Sequence, residues 1–148
     1  MITWGSKVSI NRSPQDVFPY LVEPAKQALW SDVPMKPITG GDMRVGTQLE
    51  VSFGLGPLKA TVGLEVTALE NNARMAFTTF SGPIKWQGEY RLEPDGANGS
   101  TLSQNGSLAF SGVWRLIQPI VGAEISKAEV KELEKLKAVI EGSGRSGA

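Results

Sequence analysis

SPQDVFPYLVEPAKQALW, residues 13–30, opens as a helix and then places a second proline inside its second turn. Ser13 is a good N-cap, Pro14 suits the first helical position, where its missing N–H costs nothing, and Asp16 complements the positive end of the helix dipole. Pro19 then deletes a backbone hydrogen bond and crowds the carbonyl of Gln15, so the helix is expected to kink or tighten there. Pro24 offers a second start. The reading is two short helices, about 14–22 and 24–30, joined at an angle, with Val17, Phe18 and Leu21 as the apolar stripe of the first. So short a pair cannot stand alone and must close onto a larger body.

That body lies on either side of it. From Trp4 to Ile10, apolar and polar residues mostly alternate, the pattern of a first strand. After Trp30, turn signals such as Gly40-Gly41-Asp42, Asn71-Asn72 and Ser81-Gly82-Pro83 divide strand-like runs. Alternation is clear in Leu49, Val51, Phe53, in Leu58 to Val66, in Met75, Phe77, Thr79, in Ile84 to Leu92 and in Leu102 to Phe110. Connections this short permit hairpins and exclude parallel crossovers, so the runs form an antiparallel meander with one wet face, which holds Lys59, Thr61, Glu65 and Thr67.

The apolar face needs a cover. SKAEVKELEKLKAVIEG, residues 126–142, supplies it: Ile125, Val130, Leu133, Leu136 and Ile140 recur at helical spacing, with the charges mainly opposite. This helix is expected to begin after Pro119 and to end at Gly142. Residues 1–141 then form one domain, and 142–148, GSGRSGA, a disordered tail.

The pieces SPQDVFPYLVEPAKQALW, MRVGTQLEV, ATVGLEVTALENNARMAF and KELEKLKAVIEG resemble those of the polyketide cyclase/dehydrase and lipid-transport superfamily, which includes START domains and the birch-pollen allergen. The resemblance spans residues 3–141 and rests on element order and hydrophobic placement, since that superfamily has no universal catalytic motif. It implies an α+β helix-grip fold. A curved antiparallel sheet of six or seven strands wraps the long C-terminal helix, two short helices close one end, and a cavity inside takes apolar ligands.

Composition narrows the chemistry. The 148 residues suffice for one core without crosslinks, burying roughly 70% of the unfolded surface. Fifteen basic and fifteen acidic residues leave no net charge to draw nucleic acid, which is not an expected partner. With no Cys and no His, thiol chemistry, thiolate or imidazole metal sites and the usual Ser-His base are absent, and no metal or cofactor is expected. No window is apolar for the roughly 18 residues of a membrane span, and no secretory signal opens the chain. A cytoplasmic location without membrane insertion is therefore expected, and the oligomeric state is left open.

A cavity on the sheet's inner face would be lined by Phe53, Val62, Leu64, Met75, Phe77, Trp86, Tyr90, Gln104 and Phe110, all of which would equally serve a plain core. Gln104 is the informative one, because a buried amide must bond something. Gly88, between Trp86 and Tyr90, either bends its strand or leaves a notch with aromatic walls, and Gly106 poses the same choice. Trp30 and Trp114 read equally as guards of a cavity mouth or as packing anchors. Among the cations, Arg44 and Arg115 are the candidates for holding a ligand carboxylate, and Tyr90 and Arg44 are the weak catalytic candidates.

The leading functional reading is binding of a hydrophobic or amphipathic small molecule, such as a lipid, a polyketide or an aromatic compound. A cyclase/dehydratase-type enzyme using the same cavity is the alternative, and a protein-partner module the third.

Overall fold

A computed structural model of the chain describes residues 2–31, 33–55, 58–110, 112–116 and 118–146, without the side chains of 53–55, 58, 113–114, 118–126, 129 and 143–146. Strand β1 (Ile2–Ile10) is followed by α1 (Pro14–Val22) and α2 (Pro24–Gln27), then by β2 (Lys36–Pro37), β3 (Gln48–Leu55), β4 (Leu58–Glu70), β5 (Arg74–Ser81), β6 (Ile84–Asp95) and β7 (Gly99–Phe110). A short 3-10 turn (Gly112–Leu116) leads into the long helix α3 (Gln118–Ser146).

The described strands form one seven-stranded sheet, ordered β1-β7-β6-β5-β4-β3-β2 and antiparallel at every pairing. Register shifts at Gly63/Leu64 and Val66/Ala68 interrupt the β4–β5 ladder. Irregularities of this kind bend a strand and deepen its twist, which lets the sheet curl. This is the helix-grip architecture: a curved antiparallel sheet with a C-terminal helix and two short helices after the first strand.

The angle between the short helices has a different cause from the one expected. Helix α1 runs through Pro19 to Val22, and Glu23 N donates to Pro19 O at 2.9 Å. The break comes at Glu23, which is extended at φ −90° and ψ 118°. A residue that precedes proline is driven out of the helical region, so Pro24 turns the chain and Pro19 merely costs α1 one internal bond. Ser13 takes the N-cap position, but its hydroxyl makes no capping bond.

Helix α2 stops at Gln27 and does not reach Trp30. Beyond it the bonds tighten to the i→i−3 pattern, with Leu29 N donating to Lys26 O and Trp30 N to Gln27 O.

Helix α3 also exceeds its expected bounds. Pro119 occupies its first turn, where a missing N–H is tolerated, so the helix starts at Gln118. Gly142 does not end it, and the helix continues to Ser146. A glycine stops a helix by adopting positive φ, and Gly142 is not among the described glycines that do.

Val130, expected in the buried stripe, is 46% exposed, whereas Leu133, Leu136 and Ile140 are buried. At about 100° per residue, Val130 lies about 120° round the helix from Leu136, while Glu132 lies only about 40° away. The inward face therefore includes a carboxylate. Ile125 falls outside the described side chains.

Two buried clusters fill the grip. One joins Leu49, Val51, Val62, Val66, Met75 and Phe77 across β3, β4 and β5. The other joins α1, α3 and the β1–β7–β6 side through Phe18, Leu21, Trp30, Leu102, Leu133 and Leu136. The far end of α3 is fastened to the end of β1, where Asn11 N donates to Glu141 Oε2 at 3.0 Å and Arg12 Nη2 donates to Glu141 O at 2.7 Å.

Candidate functional site

Between the clusters lies a cavity of about 40 Å³ whose walls come from α1, α2 and the segment after it, β3 to β7, and α3. Of the expected lining residues, Trp30, Leu64, Met75, Phe77, Trp86, Tyr90 and Gln104 border it. Val62 and Phe110 are buried in the neighbouring core instead. The side chains of Phe53 and Trp114 lie outside the described residues.

Four of these rings form a connected wall. Phe77 meets Trp86 edge to face, with centroids 5.1 Å apart, and faces Tyr90 at 6.5 Å; Tyr90 meets Trp30 edge to face at 6.3 Å. Edge-to-face packing brings the positive ring edge against the negative ring face, which fixes the rings beyond simple burial. Trp30 is 1% exposed and its Nε1 donates to Tyr20 O at 2.8 Å, so it anchors α1 to the sheet and does not guard an opening.

Of the two readings of Gly88, a strand bend or an open notch, the notch is excluded because the space is filled. A Cβ on Gly88 would come within 2.5 Å of Phe77 Cζ, so the missing side chain is the seat of the Phe77 ring. Its register partner Gly106 seats the Trp4 indole in the same way.

The polar lining is concentrated. Ser6 pairs with Gln104 and Gln104 with Tyr90, so three polar side chains form one cross-strand row on the inner face. The next row on one side is Val8, Leu102 and Leu92, and on the other Trp4, Gly106 and Gly88. Gln104 is 5% exposed. Gln27, also buried, closes the loop below: its Oε1 accepts from Met35 N at 3.1 Å and its Nε2 donates to Val33 O at 3.3 Å.

Glu132 is 8% exposed and lines the same cavity from α3. Sequence reasoning placed the charges of α3 away from the sheet and so missed it. The available signal was its position one turn before Leu136 and two before Ile140, in line with the apolar stripe. Gln27 at the end of α2 and Ser31, Val33 and Met35 in the segment after it also line the cavity and were not anticipated, since that segment has no periodicity and α2 is too short to show a buried face.

Other candidates are elsewhere. Arg44 is exposed, and its Nη1 donates to Asp42 O at 3.1 Å and Gly40 O at 3.4 Å within its own loop. Such bonds cap the loop and leave the guanidinium outside the cavity. Arg115 is likewise exposed. On the outer face, Arg74 Nε donates to Glu89 Oε2 at 2.8 Å and Arg91 pairs with the other oxygen of Glu89. Burial pushes the Glu89 carboxyl up, but the hydrogen bonds from Arg91 and Arg74 outweigh it and hold the group below the usual glutamate value. Among the described residues no cluster of carboxylates suits a metal ion, and no helix is long and apolar enough to cross a membrane.

Comparison with known proteins agrees with this geometry. The polyketide cyclase/dehydrase and lipid transport family model matches residues 1–141. A crystal structure of a Thermus thermophilus protein superposes with a TM-score of 0.77 at 11% identity, covering 95% of this chain and 98% of that one. The Zhui aromatase/cyclase from a Streptomyces species gives 0.74 at 12% identity over 94% and 93%. A Chromobacterium violaceum protein gives 0.72 at 18% identity over 94% and 96%. At these identities the likeness is one of fold. No curated protein matches the sequence significantly. The match to the family model over nearly the whole chain, on a helix-grip fold with an inner cavity, makes this chain a member of the polyketide cyclase/dehydrase and lipid transport family.

Proposed function

We propose that this protein binds a hydrophobic or amphipathic small molecule, aromatic or polyketide-like, in the cavity between the sheet and α3. The observation that carries the reading is the convergence on one cavity of a four-ring wall with the buried Gln104, Gln27 and Glu132. Apolar walls with a few placed polar groups are the usual make-up of a small-molecule site. Covering about 300 Å² of such surface supplies roughly 7 kcal/mol before association costs, which supports micromolar binding.

At about 40 Å³ the cavity takes about one water, so an organic ligand requires the cavity to widen before it can enter. Binding is thus coupled to an opening step, and apparent affinity is reduced by the rarity of the open form. The cytoplasm, where small apolar metabolites are made, is the location that fits this role. Native mass spectrometry of gently purified protein, with a thermal-shift screen of lipids and aromatic compounds, tests the reading. A retained ligand or a raised melting temperature is expected; no bound species and no shift across the panel overturns it.

Glu132 favours a second reading, an enzyme of the cyclase/dehydratase type. A carboxylate and the Tyr90 phenol line one water-poor cavity, which equips it to move a proton at a carbon next to a carbonyl. On this reading Glu132→Gln abolishes turnover of an enolisable polyketide-like substrate while ligand binding persists. Turnover that survives the substitution removes Glu132 from that role.

A further inference from the structure

The tripeptide Asn-Gly-Ser occurs twice, at Asn98-Gly99-Ser100 and at Asn105-Gly106-Ser107. An asparagine followed by glycine carries its own reaction. The backbone nitrogen of the glycine attacks Cγ of the asparagine amide, a new C–N bond closes a five-membered imide, and ammonia leaves with the proton that the glycine nitrogen gives up. Water then opens the imide at either carbonyl, leaving aspartate or isoaspartate, so water is the one reagent consumed. Glycine favours the attack because it has no Cβ to hinder the approach and its backbone bends freely.

Both asparagines are exposed, so access to solvent does not distinguish them. The backbone does. Asn105 and Gly106 sit in the middle of β7 with β1 on one side and β6 on the other, and Gly106 pairs with both Trp4 and Gly88. A residue in such a strand spends its N–H on one neighbour or the other, and the extended chain holds that nitrogen away from the preceding Cγ. Asn98 is the last residue of the turn 96–98, which Gly96 enters at φ +73°. Gly99 begins β7 and pairs on one side alone, with Asp95, at the end where a ladder opens most easily.

The neighbours of Asn98 give the reaction a consequence. Ser100 is 1% exposed, and its Oγ donates to Arg12 O at 2.6 Å. The same segment fastens the end of α3, through Asn11 N and Arg12 Nη2 on Glu141. Asn98 also shares a surface recess with Asp95, Lys137 and Glu141. Isoaspartate lengthens the main chain by one carbon just before Ser100. Either product adds a carboxylate beside Asp95 and Glu141, with Lys137 as the cation in the described lining.

We infer that Asn98 is a site of spontaneous deamidation whose products loosen the joint between α3 and the end of β1. This stands apart from the ligand reading, since it uses none of the residues that line the inner cavity.

Peptide mapping by mass spectrometry tests it, on the full chain aged in warm, mildly alkaline buffer, with the urea-unfolded chain as the control. In the unfolded chain both asparagines should convert alike. In the folded protein conversion at Asn98 should outrun that at Asn105 by at least about tenfold, since reaction within β7 must await an opening of the ladder. The aged fraction should melt lower than fresh protein and exchange amide hydrogens faster at 11–13 and 137–141. Asn98→Gln, whose longer side chain closes the ring poorly, should keep its melting temperature through the same ageing. Equal conversion of the two asparagines in the folded protein, or none at Asn98 while the unfolded control reacts, overturns the site. Conversion at Asn98 that leaves melting and exchange unchanged overturns its hold on α3.

Discussion

The Phe77 ring rests on Gly88, its register partner across the β5–β6 ladder, so closely that a Cβ there would meet Phe77 Cζ at 2.5 Å. Trp86 and Tyr90 flank the ring, so it has little room to retreat. Gly88→Ala is accordingly expected to destabilise the protein by about 1–3 kcal/mol, the usual cost of forcing an extra carbon into a packed interior. Urea unfolding checks this, and a neutral result would mean that the aromatic wall is loosely held.

Trp30 links α1 to the sheet through Tyr20 O at one edge and the Tyr90 ring at the other. Trp30→Phe keeps a ring but removes the N–H, leaving the Tyr20 carbonyl without that donor. A loss of about 1–3 kcal/mol is expected from the missing bond. The same denaturation experiment measures it, and hydrogen exchange should rise in α1 before it rises in β6.

A third expectation concerns pH. Glu89 is held below its ordinary value in the folded protein, so the unfolded chain binds a proton there first as pH falls. Its contribution to stability is complete above the unfolded value near 4.5 and is lost as pH drops through the folded value. The stability difference between wild type and Glu89→Gln should therefore be constant above about pH 5 and shrink below it. A difference that grows on acidification contradicts the pairing with Arg74 and Arg91.

Much of the fold was legible because its signals are local. Period-two alternation marked β3 to β7, and the pairing of Pro14 with Ser13 marked the start of α1. What escaped depends on tertiary context. Pro19 drew attention as a breaker, yet the turn at Glu23 arises from Pro24. Gly88 and Gly106 read as bends or empty space, because no sequence rule says which ring from another element will cover a glycine.

The site divided along the same line. Met75, Phe77, Tyr90 and Gln104 were reachable by alternation along strands. Glu132 was masked by the habit of assigning charges to solvent, although its angular position matched the buried stripe. Met35 enters from the segment after α2, held there by the bond from its N–H to Gln27 Oε1, which no periodicity announces. Arg44 looked available by residue type, but loop carbonyls claim its guanidinium.

The central claim is that the inner cavity receives the ligand. Its most direct test is an NMR experiment on methyl-labelled protein with 2-acetonaphthone, reading intermolecular NOEs. NOEs are expected from the ligand ring to the methyls of Met75, Leu64 and Leu21, all of which border the cavity. NOEs confined to the exposed Leu29, Ile38 and Val45 would contradict it.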